Sequence, residues 1–555
     1  MTCDDAIRRS ADLAAISFAP TAKLRSCLFR FGLPLTACAL LLGYAPLYIY
    51  RTYHLLPYED DAFYYFTIVR NIHDFGRSTF DGQTLTNGYH PLWLVVLLIQ
   101  YFICKSFDIT ILIELALLLC GLAFLIAALK SRRPIDYALL TLAYSAAISG
   151  FTLNGMETSL LIFCLSALIW ALERFDLTRD EGAVRAGLIA AAAIGARIDA
   201  GVFVVPLVLL ALPTPRSKTI AIGIIAGFGL AYLAFNEIVF GAVMPFSASI
   251  KSLGGFQLNG HLLHDFRHEV FHPGFGEEMK SMFDSAVGNS DYYRILVVCV
   301  AAAGLALFAP PRGFARHLLF AFLIGMTLYA VKLLLFSSWV IWPWYFYPEF
   351  IGTYACLRAV PQAFENLGIE PLRKPIKIGF LLLLIGIVVW PAEDFATDPP
   401  EYDWLGFSVI NQRAIDTFGP TFAGARVAMG DRAGSFAFHY RGSTVQLEGL
   451  VEDKSYFDML ADHGNLKTVL CRRGVKFILA YATDLGAYKT YRIHALRPWL
   501  TGFHGPSVAV RKEDEVGRVF DLDVFDSLEL GDDGDSYLYA WRLSRCPQTR
   551  DTHTR

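Results

Sequence analysis

TIAIGIIAGFGLAYLAFNEIVF, residues 219–240, carries a single charged side chain, Glu237, and is long enough to cross a bilayer. A membrane-spanning helix needs about 20 consecutive apolar residues. Comparable runs occur at Phe31–Tyr50 and His317–Phe336. The whole 555-residue chain agrees, with 55% hydrophobic and 18% charged residues and a mean hydropathy of +0.43. A soluble domain carries about 25% charged residues. The net charge of −3 gives no bias toward nucleic acid, and no basic run suited to a phosphate backbone is present.

Working outward from residue 219, basic loops assign sidedness. Arg8, Arg9, Lys23, Arg25 and Arg30 precede the first apolar run. They predict a cytoplasmic tail over residues 1–30; a cleaved signal peptide is the alternative. Lys130–Arg133, Glu173–Arg185, Pro215–Lys218, Pro311–Arg316 and Arg373–Lys377 mark the same side. Residues 91–129 are apolar apart from Lys105–Asp108, so they form two short spans, or one span plus a partly inserted segment. Further spans are expected near 137–150, 158–172, 183–212 (interrupted), 219–240, 294–308, 318–336, 345–360 and 376–390. The prediction is a polytopic α-helical membrane protein with about 10–11 transmembrane helices. A transmembrane module over 31–391 then has outer loops at 51–90 and 241–293.

After residue 391 charge, glycine and turn signals return. Arg426–Met429 and Lys476–Ala480 read as buried strands, and Asn411–Phe418 and Tyr456–His463 as helices. Residues 392–555 are thus expected to form an extracytoplasmic α/β domain. Most of the ten cysteines sit in apolar runs as small hydrophobes. Cys471 and Cys546 can pair, although nothing in their spacing demands it.

Charge near a membrane is costly and marks candidate function. The first outer loop contains Pro57-Tyr-Glu-Asp-Asp-Ala-Phe-Tyr-Tyr-Phe66. Glu59, Asp60 and Asp61 suit a helix N-terminus. They equally suit a general base, or ligands for magnesium, manganese or calcium, at the mouth of a cavity. The loop closes with Thr86-Asn-Gly-Tyr-His-Pro-Leu-Trp93, where Asn87-Gly88 is a turn signal and Pro91 opens the next helix. His90 there is either a structural interfacial histidine or a phosphate or sugar contact. Glu157, in Asn154-Gly-Met-Glu-Thr158, either caps a span or shapes a sugar pocket. Arg197 and Asp199 interrupt an apolar run and are expected to pair with each other or with neighbours. Lys251 follows a span and either snorkels or holds a lipid-borne phosphate. An outer hairpin at Trp339–Tyr347, including Tyr345 and Tyr347, forms an aromatic belt or a sugar-stacking groove.

Taken in order, these motifs resemble the C-class glycosyltransferase superfamily of multispanning enzymes. The closer resemblance is to its bacterial branch of cell-wall terminal arabinofuranosyltransferases. It rests on Asp60-Asp-Ala-Phe-Tyr-Tyr, Asn87-Gly-Tyr-His-Pro-Leu-Trp, Gly155-Met-Glu-Thr, Arg197-Ile-Asp, Phe240-Gly with Pro245 and Lys251, and Trp344-Tyr-Phe-Tyr-Pro. It continues in Gly430-Asp-Arg-Ala-Gly-Ser-Phe and Val445-Gln-Leu-Glu-Gly-Leu-Val. The resemblance implies an inverting transfer of a sugar, arabinofuranose being one option, from a polyprenyl-phosphate donor. The acceptor is then a cell-envelope glycan, lipid or protein at the outer face of the plasma membrane. Asp60 is the implied base, with Asp61 supporting it or binding a divalent cation. His90, Arg197 and Lys251 are the implied phosphate contacts. Glu157 and Asp199 are expected to shape the sugar site, and Glu59, Asn87, Tyr345 and Tyr347 to contact substrate. The rival readings are a lipid-linked sugar transporter or flippase and a non-catalytic glycan-binding scaffold. The absence of an obvious internal repeat weighs against a transporter.

Overall fold

The structure, a computed structural model, describes residues 58–129, 134–148, 152–271, 291–368, 375, 378–379, 406–481, 490–496, 501, 503, 505–521 and 536–546. The expected first span at Phe31–Tyr50 and the one at 376–390 lie outside the described residues, apart from residues 378–379.

The acidic triplet opens a helix, as its position predicts. α1 (Asp60–Phe75) carries Asp60 and Asp61 in its first turn and stops at Gly76, whose left-handed φ of 70° ends the helix. Pro91 starts α2 (Pro91–Cys104) at the first helical position, where its missing N–H costs nothing. The chain breaks at Lys105–Asp108 and resumes as α3 (Thr110–Ala128), so the long apolar stretch is two helices. α4 (Pro134–Ile148), α5 (Thr158–Arg174) and α6 (Asp180–Ala196) follow. Arg197 then adopts an extended conformation, and a 3-10 turn at Ile198–Ala200 leads into α7 (Gly201–Ala211). The interruption expected within 183–212 is therefore a real helix break at the charged Arg197-Ile-Asp motif. α8 (Pro215–Phe240) begins with a capping box between Thr214 and Ser217. Short α9 (Phe246–Lys251), amphipathic α10 (Gly260–Phe271), α11 (Asp291–Phe308), α12 (Gly313–Leu335) and α13 (Pro348–Asn366) complete the helical module. The aromatic segment 339–347 is not a hairpin. Pro343 starts a 3-10 turn to Phe346, and Pro348 starts α13 directly after it.

α3, α8 and α12 are long and apolar enough to cross a membrane, with mean hydropathies of 2.7, 1.8 and 2.2. α8 leaves Ile238 83% and Leu230 68% exposed. Apolar side chains displayed this openly along one helix need cover that water does not provide.

The C-terminal part begins with α14 (Gly406–Phe422) and builds a five-stranded sheet of order β2-β1-β3-β7-β6. β1 (Arg426–Met429) runs parallel to β2 (Thr444–Gln446) and β3 (Val475–Tyr481). Helices α15 (Ala433–Tyr440), α16 (Lys454–Ala461) and α17 (Leu466–Arg472) lie between these strands in the chain. A separate hairpin joins β4 (Thr490–His494) to β5 (Ser507–Arg511), and β6 (Glu515–Asp521) and β7 (Ser536–Arg542) complete the main sheet as antiparallel members. β1 is buried along its whole length and β3 at all positions but Lys476, which matches their apolar sequence. Cys471 and Cys546 form a disulfide that ties α17 to the segment after β7.

Candidate functional site

Helix ends converge on one cavity. Asp61 and Tyr64 come from the first turns of α1, His90 from the cap of α2, Glu157 from the cap of α5 and Arg197 from the end of α6. Ser247 and Lys251 come from α9, and Trp344 and Tyr345 from the 3-10 turn. Leu450 and Val451, from the loop after β2, close one side. The empty space is about 510 Å³ with the open mouth included.

The cavity rests on a buried charge network. Glu157 is 1% exposed and accepts hydrogen bonds from Arg197 Nη1 at 2.8 Å and Tyr65 Oη at 3.0 Å. It makes no side-chain cap, so the capping alternative does not describe it. His90 Nε2 lies 3.5 Å from Glu157 Oε1. Arg197 also donates Nε to Asp199 Oδ1 at 3.0 Å, and Lys332 Nζ lies 3.8 Å from Asp199 Oδ2. The Arg197 guanidinium lies over the rings of Tyr345 and Tyr347, 5.0 and 5.3 Å from their centroids. Arg197 is thus charge-balanced by two carboxylates and fixed by two rings.

The loop that carries Glu157 is itself anchored. Buried Glu114 accepts from the Gly155 N–H at 3.1 Å, and Trp93 Nε1 donates to the Gly155 carbonyl at 3.0 Å. Gly155 has φ +83°, and a Cβ there would meet Ala62 Cβ at 2.8 Å. Only glycine allows this turn to press against α1.

The three acidic residues of the triplet do different things. Asp61 faces the cavity. Burial raises its carboxyl to about 7; Lys251 pulls it down, and Asp431, Asp60 and Glu59 push it up. Asp60 points away, into the C-terminal domain. Its Oδ2 accepts from the Gly434 N–H at 2.9 Å, and its Oδ1 accepts from the Ser435 N–H at 2.9 Å and from Ser435 Oγ. Burial raises Asp60 to about 6, and those three donors hold it below where burial alone would leave it. Glu59 sits at the N-cap position of α1 without a side-chain cap hydrogen bond, and burial beside Asp60 raises it to about 7. Three donors from α15 thus occupy most of the Asp60 carboxylate's roughly four lone-pair sites. Among the described residues no group of three or more His, Cys, Asp or Glu side chains is arranged to hold a metal ion.

Lys251 Nζ donates to Tyr345 Oη at 3.1 Å and lies over the Trp339 and Tyr345 rings. Burial pushes its pKa down, but Tyr345 and Asp61 outweigh this and raise it, so the ammonium is charged. One hydrogen bond leaves it two further donors. Burial lowers His90, and its Nδ1 is buried without a hydrogen-bond partner among the described residues. Tyr64 Oη is likewise buried at the cavity wall with no partner among the described residues.

Of the residues singled out in the sequence, Asp61, His90, Glu157, Arg197, Lys251 and Tyr345 line the cavity. Asp199 and Tyr347 sit behind Arg197. Asn87 holds the start of α9 instead, accepting from the Phe246 N–H at 3.0 Å. Tyr64, Tyr65, Ser247, Leu450 and Val451 line the site without having been selected as candidates. Tyr64 and Tyr65 lie inside the quoted aromatic helix, and Leu450 and Val451 end the quoted Val445–Val451 motif without having been given a role there; nothing in the local sequence singles out Ser247.

No protein-family model matches the chain, and no curated protein matches it. Among solved structures, the apo crystal structure of the Archaeoglobus fulgidus oligosaccharyltransferase is similar at a TM-score of 0.45 and 10% sequence identity. That match covers 86% of this chain and 74% of the other.

Proposed function

We propose that the chain is a membrane glycosyltransferase that moves a sugar from a polyprenyl-phosphate donor to a hydroxyl acceptor at the non-cytoplasmic face. The observation that carries this reading is a single cavity holding a carboxylate, Asp61, together with a charged lysine that has two donors to spare, Lys251. A carboxylate with a pKa near the working pH is suited to accept a proton. A nearby ammonium is suited to bind a phosphate as a point charge. The apolar helices α3, α8 and α12 give a lipid tail somewhere to lie.

In the proposed step Asp61 takes the proton of an acceptor hydroxyl. That oxygen bonds to the anomeric carbon as the bond from that carbon to the phosphate oxygen breaks. The electron pair leaves on polyprenyl phosphate, and Lys251 stabilises the developing charge. Glu157, Arg197 and His90 hold the walls and supply polar contacts to sugar or phosphate. The reaction inverts the anomeric centre because attack and departure occur on opposite faces. Arabinofuranose is one donor sugar consistent with the sequence motifs, and a cell-envelope glycan, lipid or protein is the acceptor class.

The test is release of polyprenyl phosphate from a synthetic polyprenyl-phosphate arabinofuranose, and from pentose and hexose analogues, by purified protein in lipid nanodiscs. Turnover by wild type that is lost in Asp61→Asn, with donor binding retained, supports the reading. Donor binding without turnover in the wild type, or release that survives Asp61→Asn, defeats it.

A further inference from the structure

α15 is held at both ends by α1. At its N-terminus Arg432, the cap residue, has φ 66° and offers no side-chain cap of its own. Asp60 supplies that cap from 374 residues away in the chain, through Gly434 and Ser435. At the other end Arg70 Nη1 donates to the Phe438 carbonyl at 2.7 Å and lies over the Phe438 ring. A carboxylate at a helix N-terminus and a guanidinium at its C-terminus both complement the helix dipole. A Cβ at Gly434 would lie 2.2 Å from the Asp60 carbonyl oxygen, so the glycine allows the two modules to touch. Alongside, Asp81 of the first loop forms a buried ion pair with Arg426 at the start of β1 and accepts at its carbonyl from Ser443 Oγ at 2.8 Å.

The topology explains what this grip accomplishes. The loops after β1 and β2 leave the carboxyl ends of adjacent parallel strands, the edge where open α/β sheets present their ligand loops. Here the first turn of α15, reached by the loop after β1, grips Asp60, and the loop after β2 places Leu450 and Val451 in the cavity wall. A Cβ at Gly88 would lie 1.9 Å from the Leu450 carbonyl oxygen, so that wall sits directly on the first loop.

We propose that Asp60 is a positioning residue rather than the base: it clasps α15 so that Leu450 and Val451 close the cavity toward water and set which acceptor reaches the sugar. This rests on the glycosyl-transfer reading above. Loss of the clasp opens the site, and water then competes as acceptor. Its oxygen bonds to the anomeric carbon, its proton goes to Asp61, and polyprenyl phosphate leaves as before.

The experiment compares wild type, Asp60→Ala, Asp60→Asn and Asp61→Asn in nanodiscs. The probes are synthetic polyprenyl-phosphate arabinofuranose and an octyl arabinofuranoside acceptor, with amide hydrogen exchange at Gly434 and Ser435 measured in parallel. In Asp60→Ala the acceptor kcat/KM is expected to fall about 10²-fold, since a shift of about 1 Å in a reacting geometry has that effect. The hydrolysed share of donor rises, and both amides exchange at least about tenfold faster once their acceptor is gone. Asp60→Asn keeps one amide oxygen for the Ser435 N–H and Oγ but loses the acceptor for the Gly434 N–H, so it restores part of the transfer and slows exchange at Ser435 more than at Gly434. Asp61→Asn loses transfer and hydrolysis together, by about 10²–10⁴-fold. The proposal is overturned if Asp60→Asn is as inactive as Asp61→Asn, or if exchange at Gly434 and Ser435 is unchanged in Asp60→Ala. Wild type that releases no polyprenyl phosphate, with faster exchange in Asp60→Ala, removes the glycosyl-transfer reading and the positioning role with it, and leaves the clasp as a fold contact alone.

Discussion

Gly88→Ala places one methyl group between the two modules. The added Cβ would lie 1.9 Å from Leu450 O, 2.9 Å from Leu450 C and 3.1 Å from Val451 Cα. An unstrained carbon-to-carbonyl-oxygen contact is about 3.3 Å or more, so the loop after β2 has to retreat by roughly 1.4 Å. All three neighbours are backbone atoms, so no side chain can rotate out of the way. Overpacking of this kind costs about 1–3 kcal/mol. The same retreat moves Leu450 and Val451 off the cavity, and about 1 Å of misplacement can cost about 10²-fold in rate. The control is Gly223→Ala on α8, where a Cβ meets nothing within 4 Å among the described residues and alanine favours the helix by about 1 kcal/mol. Thermal unfolding and donor turnover are measured on both variants in the same nanodiscs. The expected result is a lower midpoint and about 10²-fold lower acceptor kcat/KM for Gly88→Ala, with Gly223→Ala at or above wild type in both. If Gly88→Ala behaves like Gly223→Ala, the C-terminal domain is not a wall of the site.

Glu157→Ala strips Arg197 of one of two carboxylate partners, and breaking a buried ion pair typically costs about 3–5 kcal/mol; its unfolding midpoint in urea should fall well below that of Lys454→Ala, whose partner Asp458 is exposed. Activity and stability should respond to acid in opposite directions. Glu59, Asp60 and Asp61 all have raised folded-state pKa values, about 7, 6 and 7, so the folded state binds these protons more tightly than the unfolded chain does. Their stabilising effect is fully present below the unfolded carboxylate range and is lost as pH rises through 6 to 7. Lowering pH from 8 to 5 should therefore raise this contribution to the melting temperature while turnover falls as Asp61 becomes protonated; parallel decline of both would contradict the assignment. Cys471→Ser should cost about 2–5 kcal/mol, and mass spectrometry after alkylation without reductant should leave Cys471 and Cys546 unlabelled.

Much of the helical layout was legible because apolar length and charge punctuation are local signals. The breaks at Lys105–Asp108 and Arg197–Asp199 and the helix start at Pro91 all follow from residues within one turn of the event. The strands at Arg426–Met429 and within Val475–Tyr481 were visible for the same reason. The roles of individual carboxylates were not. Glu59, Asp60 and Asp61 are adjacent in sequence and alike in chemistry. What separates them is a helix terminus 374 residues away for Asp60 and a lysine 190 residues away for Asp61. Leu450 and Val451 are ordinary apolar residues whose place in the site comes from strand order and from Gly88 beneath them. The aromatic segment at Trp339–Tyr347 was misread as a hairpin because two prolines, Pro343 and Pro348, start helical turns there instead.

The most direct measurement is an experimental map of the protein in nanodiscs with a non-hydrolysable polyprenyl-phosphonate sugar. The phosphonate oxygens should lie within about 3–4 Å of Lys251 Nζ, with the anomeric carbon between them and Asp61 and the polyprenyl chain leaving between apolar helices. A donor bound at the opposite membrane face, or seated with Asp61 turned away into bulk water, would contradict the account.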